Sequence, residues 1–144
     1  MKYVGIWNFD SIRTMNASDE FVYLNAEEYL KSPMPYIDES DEEAVADEIK
    51  ERKQIIGSKI EICEDGSLYM LIPLPEGVTK EEVDEAVSSG GIVLRRGMIS
   101  GGQMGWEERD GEFWYSTGMG EDDWTKGSED GYLNVMLSRY TKAE

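Results

Sequence analysis

Residues 59 to 72 read KIEICEDGSLYMLI, and this stretch constrains the fold more than any other. Ile60 and Ile62 alternate with Lys59 and Glu61, which gives one apolar and one polar face at the two-residue period of a strand. Asp65-Gly66 then supplies the positive φ that tight hairpin turns demand. Beyond it Leu68, Met70 and Ile72 continue the inward face, while Tyr69 and Leu71 make the other side apolar too. The same design recurs around Asp110-Gly111, with strands predicted from Gln103 to Arg109 and from Glu112 to Gly118. Met104, Trp106, Phe113, Trp114 and Tyr115 are their apolar content. Successive hairpins of this kind build an antiparallel meander.

Further strands are predicted over Tyr3 to Arg13, over Ile92 to Ile99 with Gly101-Gly102 as the next turn, and over Tyr132 to Tyr140. Glu20 to Leu24 is a weaker one. In the last strand Leu133, Val135, Leu137 and Arg139 share a face, opposite Tyr132, Met136 and Tyr140. Helix signals interrupt the pattern. Ser40 with Glu43 reads as a capping box ahead of a helix to about Gln54, and Thr79 with Glu82 as another ahead of a helix ending at Gly90. A shorter helix around Ala26 to Lys31 stops before Pro33 and Pro35. Val45, Ile49 and the Arg52 stem in the first helix, and Val83, Ala86 and Val87 in the second, make short stripes, so these helices pack by one face. The expected fold is mainly β: a single antiparallel up-and-down β-barrel of about eight strands with two or three peripheral helices. It forms one domain over residues 1–144, with helical insertions near 26–54 and 79–90.

Charge narrows the partners. The chain carries 31 Asp and Glu against 14 Lys and Arg, a formal net of −17. Phosphate backbones and anionic membrane surfaces attract basic segments, so neither nucleic acid nor membrane is an expected partner. Asp19 to Glu51 holds twelve acids and two bases, Lys31 and Lys50. Such a run is a solvated helical face or a patch for a basic protein partner. The acidic segment GEDDWTKGSEDG, from Gly120 to Gly131, invites comparison with a calcium loop. Placing Gly127 as the loop glycine puts Trp124 and Lys126 where ligands belong, so no metal is expected. Histidine is absent, which removes the usual general base near neutral pH and the commonest metal ligand. Cys63 is the only cysteine, so no intrachain disulfide forms. No secretion signal opens the sequence, no apolar run approaches bilayer length, and no cofactor motif stands out; the expected location is cytoplasmic.

A meander of this size closes when its first and last strands meet. Trp7 lies in the first and Arg139 in the last, and an arginine laid over an indole contributes about 0.5 to 2 kcal/mol while covering the barrel's end. Gly5 lets the chain pack closely beside that ring. Gly5-x-Trp7, a helical insertion after the first strand, serial hairpins and the late Arg139 together resemble the calycins, the lipocalin and fatty-acid-binding-protein group, and most nearly its small bacterial lipocalin-like members. The resemblance implies a barrel with a cavity for a small apolar ligand, closed structurally by Gly5, Trp7 and Arg139. Fatty-acid-binding proteins carry an Arg-x-Tyr pair on the last strand to hold a carboxylate. Here Arg139 and Tyr140 are adjacent and point to opposite faces, so a fatty-acid ligand is not implied.

Three functions follow from these residues. The first is lipocalin-like binding of a small apolar molecule, in a cavity lined by Met70, Met104, Trp106, Trp114 and Met136, with Arg95 or Arg96 as the polar anchor. The second is an acidic interaction or accessory module whose barrel is filled by its own side chains. The third is a carboxylate-based hydrolase, for which Glu61 or Glu112 would need a cross-strand partner, since adjacent Glu107 and Glu108 diverge. No catalytic residue is assigned.

Overall fold

The structure, a computed structural model, describes residues 2–15, 18–34, 37–75, 77–117 and 123–143. Among them, eleven strands form one antiparallel, nearly closed barrel-like sheet with three helices. The chain runs β1 (Gly5–Met15), β2 (Phe21–Asn25), α1 (Ala26–Lys31), α2 (Glu42–Ile56), β3 (Lys59–Ile62), β4 (Ser67–Ile72) and α3 (Lys80–Ser88). It continues through β5 (Leu94–Arg95), β6 (Met98–Arg109), β7 (Glu112–Ser116), β8 (Thr125–Lys126), β9 (Ser128–Glu129), β10 (Tyr132–Val135) and β11 (Ser138–Lys142).

The hairpin chemistry works as the alternation predicts. Ile60, Ile62 and Leu68 face inward and are fully buried. Gly66 takes the left-handed backbone, and Asp110-Gly111 and Asp130-Gly131 do so at both residues. The inward faces meet in an aromatic cluster of Tyr3, Trp7, Trp106, Phe113 and Tyr115 at one end, joined by Leu133, Val135 and Tyr140. Phe113 stacks on Trp106 and Tyr115 at 6.0 and 6.1 Å and tilts against Tyr3 at 5.6 Å.

Strand order runs β8-β7-β6-β4-β3-β1-β11-β10-β9, with β2 added beside β1 and β5 beside β6. Because only Gly127 separates β8 from β9, the circuit is eight strands following one another in chain order. Gly127 brings the two ends together: its N–H donates to the Phe113 carbonyl at 2.8 Å, and its carbonyl accepts from the Asn134 N–H at 2.6 Å. A Cβ there would lie 2.7 Å from the Asn134 oxygen and 2.8 Å from the Phe113 ring. We expect Gly127→Ala to cost about 1 to 3 kcal/mol through overpacking and to lower the thermal midpoint by about 3 to 10 °C, read by thermal unfolding.

Several local expectations are corrected. The stretch Ile92 to Ile99 is not one strand: Arg96 and Gly97 both take positive φ and fold it into the β5–β6 hairpin. Gly101-Gly102 is not a turn but lies within β6, where a Cβ on Gly101 would sit 3.3 Å from Met70 and Ile72 of the neighbouring strand. Tyr132 to Tyr140 is likewise two strands, parted by a turn at Met136-Leu137 with Met136 at φ +60°. The N-cap of α2 is Asp41, one residue after Ser40, and accepts from the Glu43 and Ala44 N–H groups. Thr79 caps α3 as expected, but that helix ends at Ser88. α1 begins on a capping box between Asn25 and Glu28. Gly118 and residues 120–122, which carried part of the second hairpin and of the acidic loop, lie outside the described residues, as does Pro35.

β1 and β11 do pair, yet Arg139 does not cover Trp7. The register sets Trp7 opposite Lys142 and Arg139 opposite Ser11, and Trp7 points inward where Arg139 points out. The Arg139 guanidinium lies 3.6 Å from the centre of the Tyr23 ring on β2. The Lys142 ammonium takes the place over Trp7, at 5.6 Å, and donates to the Lys2 and Val4 carbonyls at 2.8 and 2.7 Å. Gly5, at φ +132°, lets the Lys142 stem pass at 3.3 Å from where a Cβ would stand.

α2 is fastened by Arg52, whose side chain is 2% exposed. Its guanidinium donates to the carbonyls of Tyr29, Ser32 and Pro33 and to Glu48, so α1 and the following chain are held against α2. No residue of α3 is buried.

Candidate functional site

At the end of the barrel away from the aromatic cluster lies an apolar cleft of about 490 Å³. β1 supplies Ile12, β4 supplies Met70 and Ile72, and the β10–β11 hairpin supplies Val135, Met136, Leu137 and Tyr140. The C-terminal half of α2 forms its remaining wall through Gln54 and Ile55, followed by Ser58. These residues converge because β1 outruns β3: β3 pairs with its first half and β2 with its second, and α1 and α2 return the chain across the barrel end.

The turn at the rim is held against its own strain. A methionine at φ +60° is disfavoured by its Cβ, and the Met136 N–H is anchored to the Tyr115 hydroxyl at 3.0 Å. Met136 and Leu137 remain 62% and 54% exposed.

Deeper in the cleft, the Tyr140 hydroxyl meets Ser58 Oγ at 3.2 Å, and Ser58 donates to the Ile55 carbonyl at 2.6 Å. Burial raises the Tyr140 phenol above its ordinary value, against the opposing hydrogen bonds with Ser58 and Ser138. The phenol therefore stays protonated at neutral pH.

Of the six residues expected to line a cavity, Met70 and Met136 line this cleft. Met104 and Trp106 belong to the packed core instead, and the Trp106 indole donates to the Cys63 carbonyl at 2.7 Å. Trp114 pairs with Lys126 and Glu107, and the Arg109 guanidinium lies 5.0 Å from its ring and 5.1 Å from that of Trp124. Arg95 and Arg96 do not reach the cleft: they grip the two oxygens of Glu61 at 2.6 and 2.9 Å, and Arg95 stacks on Tyr69 at 3.9 Å. Glu61 alternates with the inward Ile60 and Ile62, so this clamp is on the other face of the sheet. Ile12, Ile55, Ser58, Ile72 and Ser138 were missed. Ile72 shares the parity of Met70 and was within reach of pattern reasoning, whereas the others depend on where α2 and the hairpin dock.

The carboxylates considered for hydrolysis are not placed for it. Burial pushes the Glu61 carboxyl up, but Arg95 and Arg96 outweigh this and hold it below its usual value. A hydrogen bond from Ser128 holds Glu112 down as well. A general acid needs the opposite shift. Because Glu61 is lowered, its contribution to stability is present above the ordinary glutamate range and is lost as pH falls through the lowered folded value. Compared with wild type, Glu61→Gln is expected to be less stable at neutral pH by about 1 kcal/mol, since both arginines are partly exposed. The difference should vanish on acidification, which urea melts across pH 3 to 7 measure.

A second cleft of about 550 Å³ at the opposite end is bordered by Lys2, Glu112, Lys126 and Asp130 over Tyr3 and Trp7. Its mixed charge gives an apolar molecule little to bury against. Exposed acids stand in the first turn of every helix, where Glu27, Glu28, Glu42, Glu43, Glu81 and Glu82 oppose the positive helix end. Among the described residues no group of three His, Cys, Asp or Glu side chains is arranged to hold a metal, and no helix is long and apolar enough to cross a membrane. In comparisons with known proteins, no family model, no curated protein and no solved structure matches the chain.

Proposed function

We propose that this protein is a lipocalin-like binder that takes a small apolar molecule into the cleft between α2 and the open barrel end. One observation carries the reading: a cleft of about 490 Å³, within the size of small-molecule sites, is walled by Ile12, Ile55, Met70, Ile72 and Val135 while the opposite end is packed with aromatic rings. Burying a ligand there removes apolar surface of both partners from water, at about 25 cal/mol per Å². The two methionines at the wall adapt to different shapes.

Titration with Nile red, a neutral solvatochromic dye, tests the proposal. Saturable one-to-one binding with blue-shifted emission is expected. Ile72→Trp, which narrows the cleft, should weaken it about tenfold or more, with the far-UV spectrum unchanged. Absence of saturable binding, or binding indifferent to Ile72→Trp, would remove the cleft as the site.

A further inference from the structure

The hydroxyl cluster inside the cleft has a direction, and that direction specifies the ligand's polar end. Ser58 Oγ lies 2.6 Å from the Ile55 carbonyl, which can only accept. Its single proton is therefore committed, and Ser58 must accept from Tyr140 in their 3.2 Å contact. With its proton given to Ser58, the Tyr140 oxygen can only accept from a further partner. Both protons point down one chain, from Tyr140 to Ser58 to the Ile55 carbonyl. What Tyr140 has left is lone pairs. Ser58 and Tyr140 both line the cleft and are buried.

Charge around the cluster points the same way. None of the residues lining the cleft is a lysine or arginine, and its one acid, Glu51, is exposed. A carboxylate would bring a second acceptor to an acceptor site, inside a protein of net charge −17. A buried ammonium would have no buried counter-charge. From these observations we propose that the cleft selects an uncharged apolar molecule bearing an alcohol, whose hydroxyl donates to the Tyr140 oxygen, and discriminates against the carboxylate of the same chain length. The inference rests on the cleft being the binding site, and the experiment separates the two.

Three probes of one chain length are titrated by calorimetry at neutral pH: decanol, decyl methyl ether, which keeps the oxygen but cannot donate, and decanoate. Decanol is expected to bind about five- to tenfold more tightly than the ether, the worth of one buried hydrogen bond, and at least tenfold more tightly than decanoate. Tyr140→Phe should bring the decanol-to-ether ratio close to one while the ether's own affinity stays within about twofold. Should the tyrosine variant fail to fold, Ser58→Ala provides a second test: it frees the Tyr140 proton to donate to the ether oxygen and should likewise bring the ratio toward one. Ether or decanoate binding as tightly as decanol would overturn the donor-head inference and leave the apolar cleft standing, as would an unchanged ratio in both variants. If none of the three binds, the cleft itself is not a binding site and both readings fall.

Discussion

Phe113→Ala lowers the unfolding free energy by about 3 to 5 kcal/mol, the range for deleting a fully buried aromatic ring. For a chain of this size the thermal midpoint then falls by about 10 to 20 °C. The ring is 0% exposed and touches Tyr3, Trp106 and Tyr115 in the cluster that fills one barrel end. Gly127, which packs against the ring edge, has no side chain, and the backbone on both sides is tied: the Phe113 N–H donates to Ser128 Oγ at 3.0 Å and its carbonyl accepts from Gly127. Urea unfolding should show the midpoint displaced with the slope preserved, since the same surface is exposed. Because Phe113 does not line the apolar cleft, Nile red affinity in the folded variant should stay within about twofold of wild type. A loss below about 1 kcal/mol would show that the cluster is loosely packed and that the barrel is held elsewhere.

Arg52→Ala acts on the other end. Its guanidinium satisfies the Tyr29, Ser32 and Pro33 carbonyls at 2.8, 2.9 and 3.1 Å, donates to Ser32 Oγ at 2.9 Å and to Glu48 at 3.1 Å, and lies over the Tyr29 ring at 5.0 Å. Truncation removes the buried guanidinium with its hydrogen bonds to the chain after α1 and its ion pair with Glu48, which costs about 3 to 5 kcal/mol. The loss falls first on the α1–α2 segment, because the barrel strands make none of these bonds. Hydrogen exchange should therefore speed up about a hundredfold or more in α1 and α2 while the amides of β3, β4 and β7 keep their protection. Arg52→Lys should recover only part of the loss, since an ammonium brings three donors in place of five and lacks the planar face that lies over the Tyr29 ring. The apolar cleft loses Gln54 and Ile55 as a fixed wall, and Nile red binding weakens with it. Unchanged exchange in α1 and α2 would mean that Arg52 is not what holds them.

The first and last strands meet, as closure of the meander requires, but the cation over the indole is not Arg139. Gly-x-Trp sits on β1 beside β11 as expected, but a lysine three residues further on covers the indole. The reason is parity. Trp7 and Arg139 lie on opposite faces of the sheet, and the turn at Met136-Leu137 divides what alternation alone reads as one continuous strand. No glycine, asparagine or aspartate marks that turn, so nothing local announces it. The site residues divide along the same line. Met70 was legible because its strand is set by its own alternation. Trp106 and Trp114 are aromatic residues on opposite faces of the sheet, and composition does not distinguish a packed ring from a cavity wall. Arg95 and Arg96 are candidate polar anchors by sequence, but the Arg96-Gly97 turn brings both onto Glu61.

By itself the sequence determined the antiparallel hairpins, the short capped helices and an apolar face for each strand. These follow from side-chain alternation, from Asp-Gly turns and from capping hydrogen bonds, all settled within a few residues of chain. The tertiary structure alone decided that Gly127 joins β7 to β10, that Lys142 covers Trp7, and that α2 walls a cleft above the Tyr140 hydroxyl. Each of these depends on register between segments far apart in the chain, where shifting one strand by a single residue turns every side chain to the other face.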